Sequence, residues 1–466
     1  MKKAFIFLAI CLFTTGCVVG PDYKRPGYPT PETFRGLGPT IVSQPVTMTL
    51  GELKWFELFK DDKLKELIQA ALKANYDVRI AVERILQARA TVISTRSSLF
   101  PAVTATYYYQ YQRASDVGLS PSLPPQTTDN FAYGSLSWEL DFWGRIRRST
   151  EAARANLLAS EENRKAAIQS LVTDLAQAYF ELRELDLELE ISKSTLDSRT
   201  KSLQLVKARQ QRGVDTLLAV RQSEGLVYAA AAPIPNLESQ IEQKENQICV
   251  LLGRNPGPIE RGKPLTDQGL VVRVPAGLPS SLLERRPDIL AAEQNLVAAN
   301  AQVGVAKAAL FPTISLTASA GYESTALSSF ISNPASTWSV VPNLTTPIFN
   351  AGKLRANLTL AEAKKQEALL QYQQTIQKAF SEAANTLIGY RKIGEYRVQQ
   401  ELYAKTLADQ TRLSKLRYRG GVTTYLEVLD SERQSFTAEI ALAQVRRDEL
   451  LSVVSLYKAL GGGWQE

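Results

Sequence analysis

Two carboxylates, Glu427 and Asp430, stand three residues apart just after a Gly420-Gly421-Val422 turn. On a helix that spacing puts both on one face. Alone they would make a solvated acidic face. Repeated around a three-fold axis they would ring one constriction with carboxylates, an arrangement that selects cations. Other chemistry is scarce. The 466 residues include no histidine, which removes imidazole bases, histidine-dependent triads and histidine metal ligands. Gly257-Pro258-Ile259-Glu260-Arg261-Gly262-Lys263 has phosphate-loop spacing as far as the lysine. Pro264 then replaces the Ser or Thr that would bind magnesium, and Pro258 stiffens the loop, so the match is chance. No enzyme, cofactor or metal site is predicted. The net charge of +7 is dispersed, with no basic cluster interleaved with aromatics, so nucleic acid is not an expected partner.

Lys2 and Lys3 precede the apolar run 4–13, and Thr14-Thr15-Gly16-Cys17 follows, the order of a secretory signal. Gly16-Cys17 resembles the bacterial lipobox, whose cysteine is lipidated and becomes the new N-terminus, with Thr14 where a leucine is usual. Cys17 is therefore the expected lipid site, and Val18 after it resembles outer-membrane sorting of lipoproteins. Acyl chains anchor by about 0.8 kcal/mol per buried methylene. Cys11 would leave with the signal, and Cys249, then without a disulfide partner, is expected on a helix face.

The elements that must position these residues come in two copies. Leu99-Phe100-Pro101 recurs as Leu310-Phe311-Pro312. Gly144-Arg145-Ile146-Arg147 answers Gly352-Lys353-Leu354-Arg355, Gly213-Val214 answers Gly421-Val422, and Leu252-Gly253 answers Leu460-Gly461, all at an offset of 208. The Pro- and Gly-rich stretch 254–279 reads as the linker.

Within each copy the apolar period changes. Ile314, Leu316, Ala318, Ala320 and Tyr322 alternate with Thr313, Ser315, Thr317 and Ser319, a strand. Its counterpart starts at Pro101 with Val103, Ala105, Tyr107, Tyr109 and Tyr111 on one face. Second strands follow at Ser135–Phe142 and, interrupted by Pro342, at Thr337–Phe349. Each is about the length that crosses a bilayer with tilt. Ser115–Asn130 and Glu323–Ser336 read as external loops.

A helical period then takes over. Leu171, Leu175, Ala178, Leu182, Leu185 and Leu189 form one coiled-coil seam, and Ile376, Phe380, Ala383, Leu387, Tyr390 and Gly394 form the other. No proline falls in 144–212 or in 351–466, enough for helices of about 100 Å. Gly213-Val214 and Gly420-Gly421-Val422 are the turn points from which return helices run to Leu252 and Leu460. Pro233-Ile234-Pro235 should break or kink the first of these. Ser281 and Glu284 read as a capping box, with Pro287 in a first helical turn.

Four amphipathic strands cannot close a transmembrane barrel, which needs about eight, so the chain must associate. Two chains would make a barrel filled by side chains, while three leave a lumen suited to the polar Ser/Thr face.

On Cys17-Val18-Val19-Gly20-Pro21-Asp22-Tyr23-Lys24-Arg25-Pro26, Arg285-Arg286-Pro287-Asp288-Ile289, Leu310-Phe311-Pro312 and Tyr425-Leu426-Glu427-Val428-Leu429-Asp430, the chain resembles lipidated TolC/OprM-type outer-membrane factors (the NodT family) along nearly its whole length. The resemblance implies an α+β membrane protein. It would be a homotrimer whose twelve-strand β-barrel continues into a twelve-helix periplasmic α-barrel, with an equatorial mixed domain. Trp55–Lys65, residues 254–284 and Gly461-Gly462-Gly463-Trp464 would contribute to that equatorial belt. The implied function is the passive outer-membrane channel of a tripartite efflux pump, fed by a periplasmic adaptor and an inner-membrane resistance-nodulation-division (RND) transporter. The resemblance also assigns the periplasmic gate to Glu427 and Asp430, with Tyr418 linking neighbouring hairpins when closed and Thr423 where some members carry a basic linking residue. Adaptor docking falls to Gly213, Val214 and Asp215 and to Gly421 and Val422.

The expected organisation is a signal peptide over 1–16, then a lipidated N-terminal segment, equatorial part and first helix over 17–98. Barrel hairpins at 99–143 and 310–350 each precede a coiled-coil hairpin, at 144–253 and 351–460. Residues 254–309 supply linker, equatorial part and helix, and 461–466 an equatorial tail. A lipid-anchored periplasmic scaffold is the competing reading, and it leaves the four strands unexplained. With Met48 the only methionine after processing and no histidine, soft metal ligands are few, which favours organic cargo. Heavy-metal efflux and type I protein secretion through the same architecture stay open.

Overall fold

The computed structural model describes residues 18–35, 50–113, 115, 117, 126–269 and 279–465, so Cys17 lies outside the described residues. The chain packs as two units. The described residues up to Gly27, Arg84–Glu161 and Ala291–Gln373 form the first, and Tyr28–Glu83, Glu162–Leu290 and Gln374–Glu466 the second.

The first unit holds β1 (Ala102–Arg113), β2 (Gln126–Leu140), β3 (Thr313–Ser324) and β4 (Ser336–Thr345), one antiparallel sheet in chain order. Val103 faces Leu136, which faces Ala318, which faces Val340. One step along, Thr104, Ser135, Ser319 and Ser339 line up, with hydroxyl contacts of 2.7 Å between Thr104 and Ser135 and 2.8 Å between Ser319 and Ser339. The register thus collects apolar residues on one face and hydroxyls on the other, which a one-residue slip would invert. Every residue of β1 and β4, the two edges, is exposed.

Two expectations are corrected here. The external loop expected over 115–130 yields Gln126–Asn130 to β2, because β1 runs on to Arg113 and its backbone pairs with that stretch. Pro342 does not interrupt β4: it sits in register opposite Leu316 on an edge strand, where proline is tolerated.

Four long helices adjoin the sheet: α2 (Tyr76–Ser97) leads to β1, α3 (Arg145–Gln211) leaves β2, α6 (Pro287–Ala308) leads to β3, and α7 (Lys353–Arg419) leaves β4. The Asp141 carboxylate caps α3 by accepting from Ile146 N at 2.8 Å and Arg147 N at 2.9 Å. Along the same unit the N-terminal segment is strapped down by ion pairs from Asp22 to Arg148 and from Arg25 to Glu293, both at 2.7 Å.

The second unit adds α1 (Asp62–Ala74), α4 (Leu217–Ala231), α5 (Pro233–Leu251) and α8 (Tyr425–Ala459). The predicted seams are buried in part: Leu171, Leu175, Ala178, Leu182 and Leu185 are buried and Leu189 half-buried in one, and Ile376, Ala383 and Leu387 are buried while Phe380, Tyr390 and Gly394 are half-buried in the other. Trp55, Phe59, Tyr179, Ile248, Leu265 and Leu460 join the same core. Buried Asp61 organises its polar centre, accepting from Tyr179 Oη, Lys263 N, Gln268 Nε2 and Lys63 N at 2.7–2.9 Å. Gly262, in the chance phosphate-loop match, lies so close to Asp61 that a Cβ would clash with the carboxylate. Cys249 is buried and its thiol donates to Gly257 O.

Pro233 begins α5 one residue after α4 ends, and Pro235 falls in the same first turn, where no intrahelical N–H is needed. The capping box at Ser281 is not formed. Ser281 has φ −68° and ψ −21°, closing a 3-10 turn that runs into the helix Leu282–Arg285, and its side chain makes no cap bond. A cap requires extended backbone at that residue. Arg286 instead anchors the segment through both oxygens of Asp288 and through Glu382 at 2.8 Å, while Pro287 opens α6 as expected.

Candidate gate at the helical hairpin tips

The return points of both hairpins share one turn geometry. Gly213 N donates to Gln210 O and Val214 N to Arg209 O; Gly421 N donates to Tyr418 O and Val422 N to Arg417 O. These are Schellman caps, and the glycine of each has φ +73°. A Cβ would meet nothing within 4 Å at either glycine, so backbone conformation alone selects the residue. Val214 and Val422 project into solvent beside them.

From these turns the side chains converge. Val206, Ala219, Val220, Tyr418, Tyr425, Val428 and Leu429 form a small core that joins the two hairpins. Above it, Tyr418 Oη donates to Asp215 Oδ2 at 2.5 Å, and Arg209 Nε donates to the same oxygen at 2.8 Å. The Arg209 guanidinium also lies 4.7 Å from the centroid of the Tyr418 ring, and Tyr418 packs against Tyr425 at 5.1 Å. Tyr425 and Ser223 bond through their hydroxyls at 3.0 Å, a second link between hairpins. Burial, then the bond to the Asp215 carboxylate, pushes the Tyr418 phenol well above its ordinary range, so it stays a donor. The Asp215 bond in turn raises the Arg209 pKa.

The acidic pair is held separately. Glu427 pairs with Arg417 at 3.0 Å and accepts from Thr423 Oγ1 at 2.5 Å. Asp430 pairs with Arg433 at 3.0 Å and accepts from Gln434 Nε2 at 2.5 Å. Both carboxylates are half-buried and belong to the first two turns of α8. Thr423 and Glu427 are thus brought together, as are Tyr418 and Asp215, whereas Glu427 and Asp430 share no partner among the described residues.

The family model described as outer membrane efflux protein matches residues 67–254 and 278–462. The chain belongs to the outer membrane efflux protein family. It is 37% identical to the toluene efflux pump outer membrane protein TtgI of Pseudomonas putida over 100% of this chain and 99% of that one. It is 34% identical to the cation efflux system protein CusC of Escherichia coli K12 over 97% and 98%. Among solved structures, the open state of the Neisseria gonorrhoeae MtrE outer membrane channel superposes with a TM-score of 0.87 at 32% identity, covering 96% of this chain and 99% of that one.

This outer membrane efflux protein is accordingly an outer-membrane channel of an efflux pump, extending into the periplasm. Sequence reasoning about its tips missed Arg209, Arg417 and Tyr425, and placed Asp215 only at a docking surface. The available signal was local: Arg209 and Asp215 flank Gly213, and Tyr418 and Tyr425 flank Gly421.

Proposed function

We propose that the chain is a homotrimeric duct in which each copy contributes its four strands to a twelve-strand barrel and its long helices to a twelve-helix periplasmic tunnel. The observation that carries this reading is the sheet itself. Its register gathers Val103, Leu136, Ala318 and Val340 on one face, and its two edges, β1 and β4, are exposed along their whole length. Open edges are not tolerated in a bilayer, and a four-strand sheet closes only by joining copies edge to edge. Cysteines introduced at Tyr107 of β1 and Val340 of β4 should therefore crosslink between chains into a covalent trimer; only monomers after efficient oxidation would refute it.

The paired glycine turns, at the same offset of 208 in both halves, support a tandem repeat in which the two hairpins are equivalent. Under this reading Tyr418 and Asp215 hold the tip shut, with Glu427, Asp430 and Thr423 lining the constriction. Exposed Val214 and Val422, with their glycines Gly213 and Gly421, present the docking surface for a periplasmic adaptor. Asp215, committed to Arg209 and Tyr418, contributes to that surface by holding the turn. An inner-membrane RND transporter supplies the cargo. Organic toxic compounds are favoured over metal ions by a sequence with no histidine and two methionines. Cys17 carries the lipid, and replacing it by serine abolishes acyl labelling.

A further inference from the structure

The register places one end of each of four helices at the same end of the sheet. Ala102 of β1 pairs with Ser137 near the end of β2, and Ile314 of β3 pairs with Leu140 of β2 and Leu344 of β4. The last turns of α2 and α6 and the first turns of α3 and α7 therefore meet this end.

Every one of the four junctions has the same order: an aromatic residue, then a cation on the helix side. Phe100 and Arg96 belong to the first junction, Trp143 and Arg145 to the second, Phe311 and Lys307 to the third, and Phe349 and Lys353 to the fourth. Trp143 stacks on Phe311 at 4.7 Å and donates to Pro312 O, while Phe100 and Phe349 are exposed. Girdles of aromatic residues flank the apolar band of a membrane barrel, and basic side chains at that level are attracted to anionic lipid.

The charges here run against local preference. The first turns of α3 and α7 contain no acidic residue, although a helix N-terminus favours anions. In α3 the conflict is resolved within the chain, because Arg145 pairs with Glu139 at 2.7 Å and Arg147 with Asp141 at 3.2 Å. In α7 it is not: residues 336–351 contain no acid at all, and Lys353 and Arg355 make no ion pair among the described residues. Arg96 and Lys307 are likewise exposed and make no ion pair among the described residues. At the opposite end of the sheet the described charges are mixed, Arg113 with Asp129 and Glu323.

We infer that Arg96, Lys307, Lys353 and Arg355 form a basic collar that binds the phosphates of anionic phospholipids in the periplasmic leaflet. The inference rests on the reading that the sheet crosses the membrane. Val18, which follows the lipid-bearing position 17 in sequence, packs against Gly144 at this same end. The missing counter-charges at the start of α7 would come from lipid rather than from protein.

The test uses the full-length lipoprotein in bilayers of phosphatidylglycerol or phosphatidylcholine, with bound lipid counted by native mass spectrometry. Wild type should retain phosphatidylglycerol preferentially. Each cation neutralised in Arg96→Gln/Lys307→Gln/Lys353→Gln/Arg355→Gln should lower that preference by up to about five-fold, the effect of one basic residue at an anionic surface. The control Lys364→Gln/Lys365→Gln, about 16 Å further along α7 and beyond a Debye length, should leave it unchanged. An inserted quadruple variant with wild-type lipid preference overturns the collar, as does one that alters only the ion selectivity of the pore. Complete proteolysis of the wild-type strands in intact vesicles of either lipid would instead overturn the membrane-crossing sheet, and the collar with it.

Discussion

Tyr418 donates its phenolic hydrogen to Asp215 across 203 residues of sequence, and that bond, with the Tyr425–Ser223 pair and the small core beneath, ties the tip of the second hairpin to the tip of the first. Arg209, on the same hairpin as Asp215, donates to the same oxygen. A hydrogen bond to a charged group contributes about 1.5–3 kcal/mol. Tyr418→Phe should keep the ring packing on Tyr425 but lose this link, giving more frequent openings in single-channel recordings; unchanged gating would remove the bond from the latch.

The tip glycines answer a backbone demand only. Gly213→Ala and Gly421→Ala should each cost about 1–2 kcal/mol, the left-handed penalty for a side chain, with asparagine milder than valine. Gly253→Ala should cost more, because its Cβ would lie 2.5 Å from Ala74 O as well as carrying φ +67°. Denaturant midpoints for the three variants check this order.

Glu184 and Glu188 lie one helical turn apart on α3 and are both buried. Glu184 faces Arg447 of α8 at 3.4 Å, an arginine shared with Asp448, and Glu188 accepts from Gln444 at 2.8 Å. Burial, then Glu188, pushes the Glu184 pKa up to about 8 against the pull of Arg447. The folded chain therefore holds a proton that the unfolded chain releases. That stabilisation is complete below about pH 4.3 and is lost as pH rises through about 8. Glu184→Gln should flatten the decline in unfolding free energy between those limits, and an equally steep decline in the variant would refute the assignment.

Asp61 carries the opposite sign. Burial raises its pKa, but the bonds from Gln268, Tyr179, Lys263 N and Lys63 N outweigh it and the net shift is downward. Its contribution is present above about pH 3.9 and lost as pH falls through the folded value. Asp61→Ala strands the Tyr179 hydroxyl and two backbone donors, and should destabilise by about 3 kcal/mol or more in denaturant titrations near neutral pH.

The strands and helices were legible because their periods differ: Ile314 to Tyr322 can alternate only on a sheet, and Leu171 to Leu189 can line up only on a helix. The glycine turns were legible because only glycine takes φ +73° freely. What stayed hidden depends on partners far apart in the chain. Nothing near Asp61 in sequence announces Tyr179 or Gln268, and Asp215 looked like a surface residue until Tyr418 met it. Ser281 misled in the other direction, since the residues of a capping box were present without the extended backbone that makes one. Pro342 misled because an edge position cannot be seen before the sheet order is known.

Planar-bilayer conductance of the purified lipoprotein, wild type against Glu427→Ala/Asp430→Ala, in salts of differing cation and anion size, tests the gated duct most directly. A larger conductance and a weaker cation preference in the variant are predicted. Channels of identical size and selectivity from both proteins, or none from either despite confirmed insertion, would contradict it.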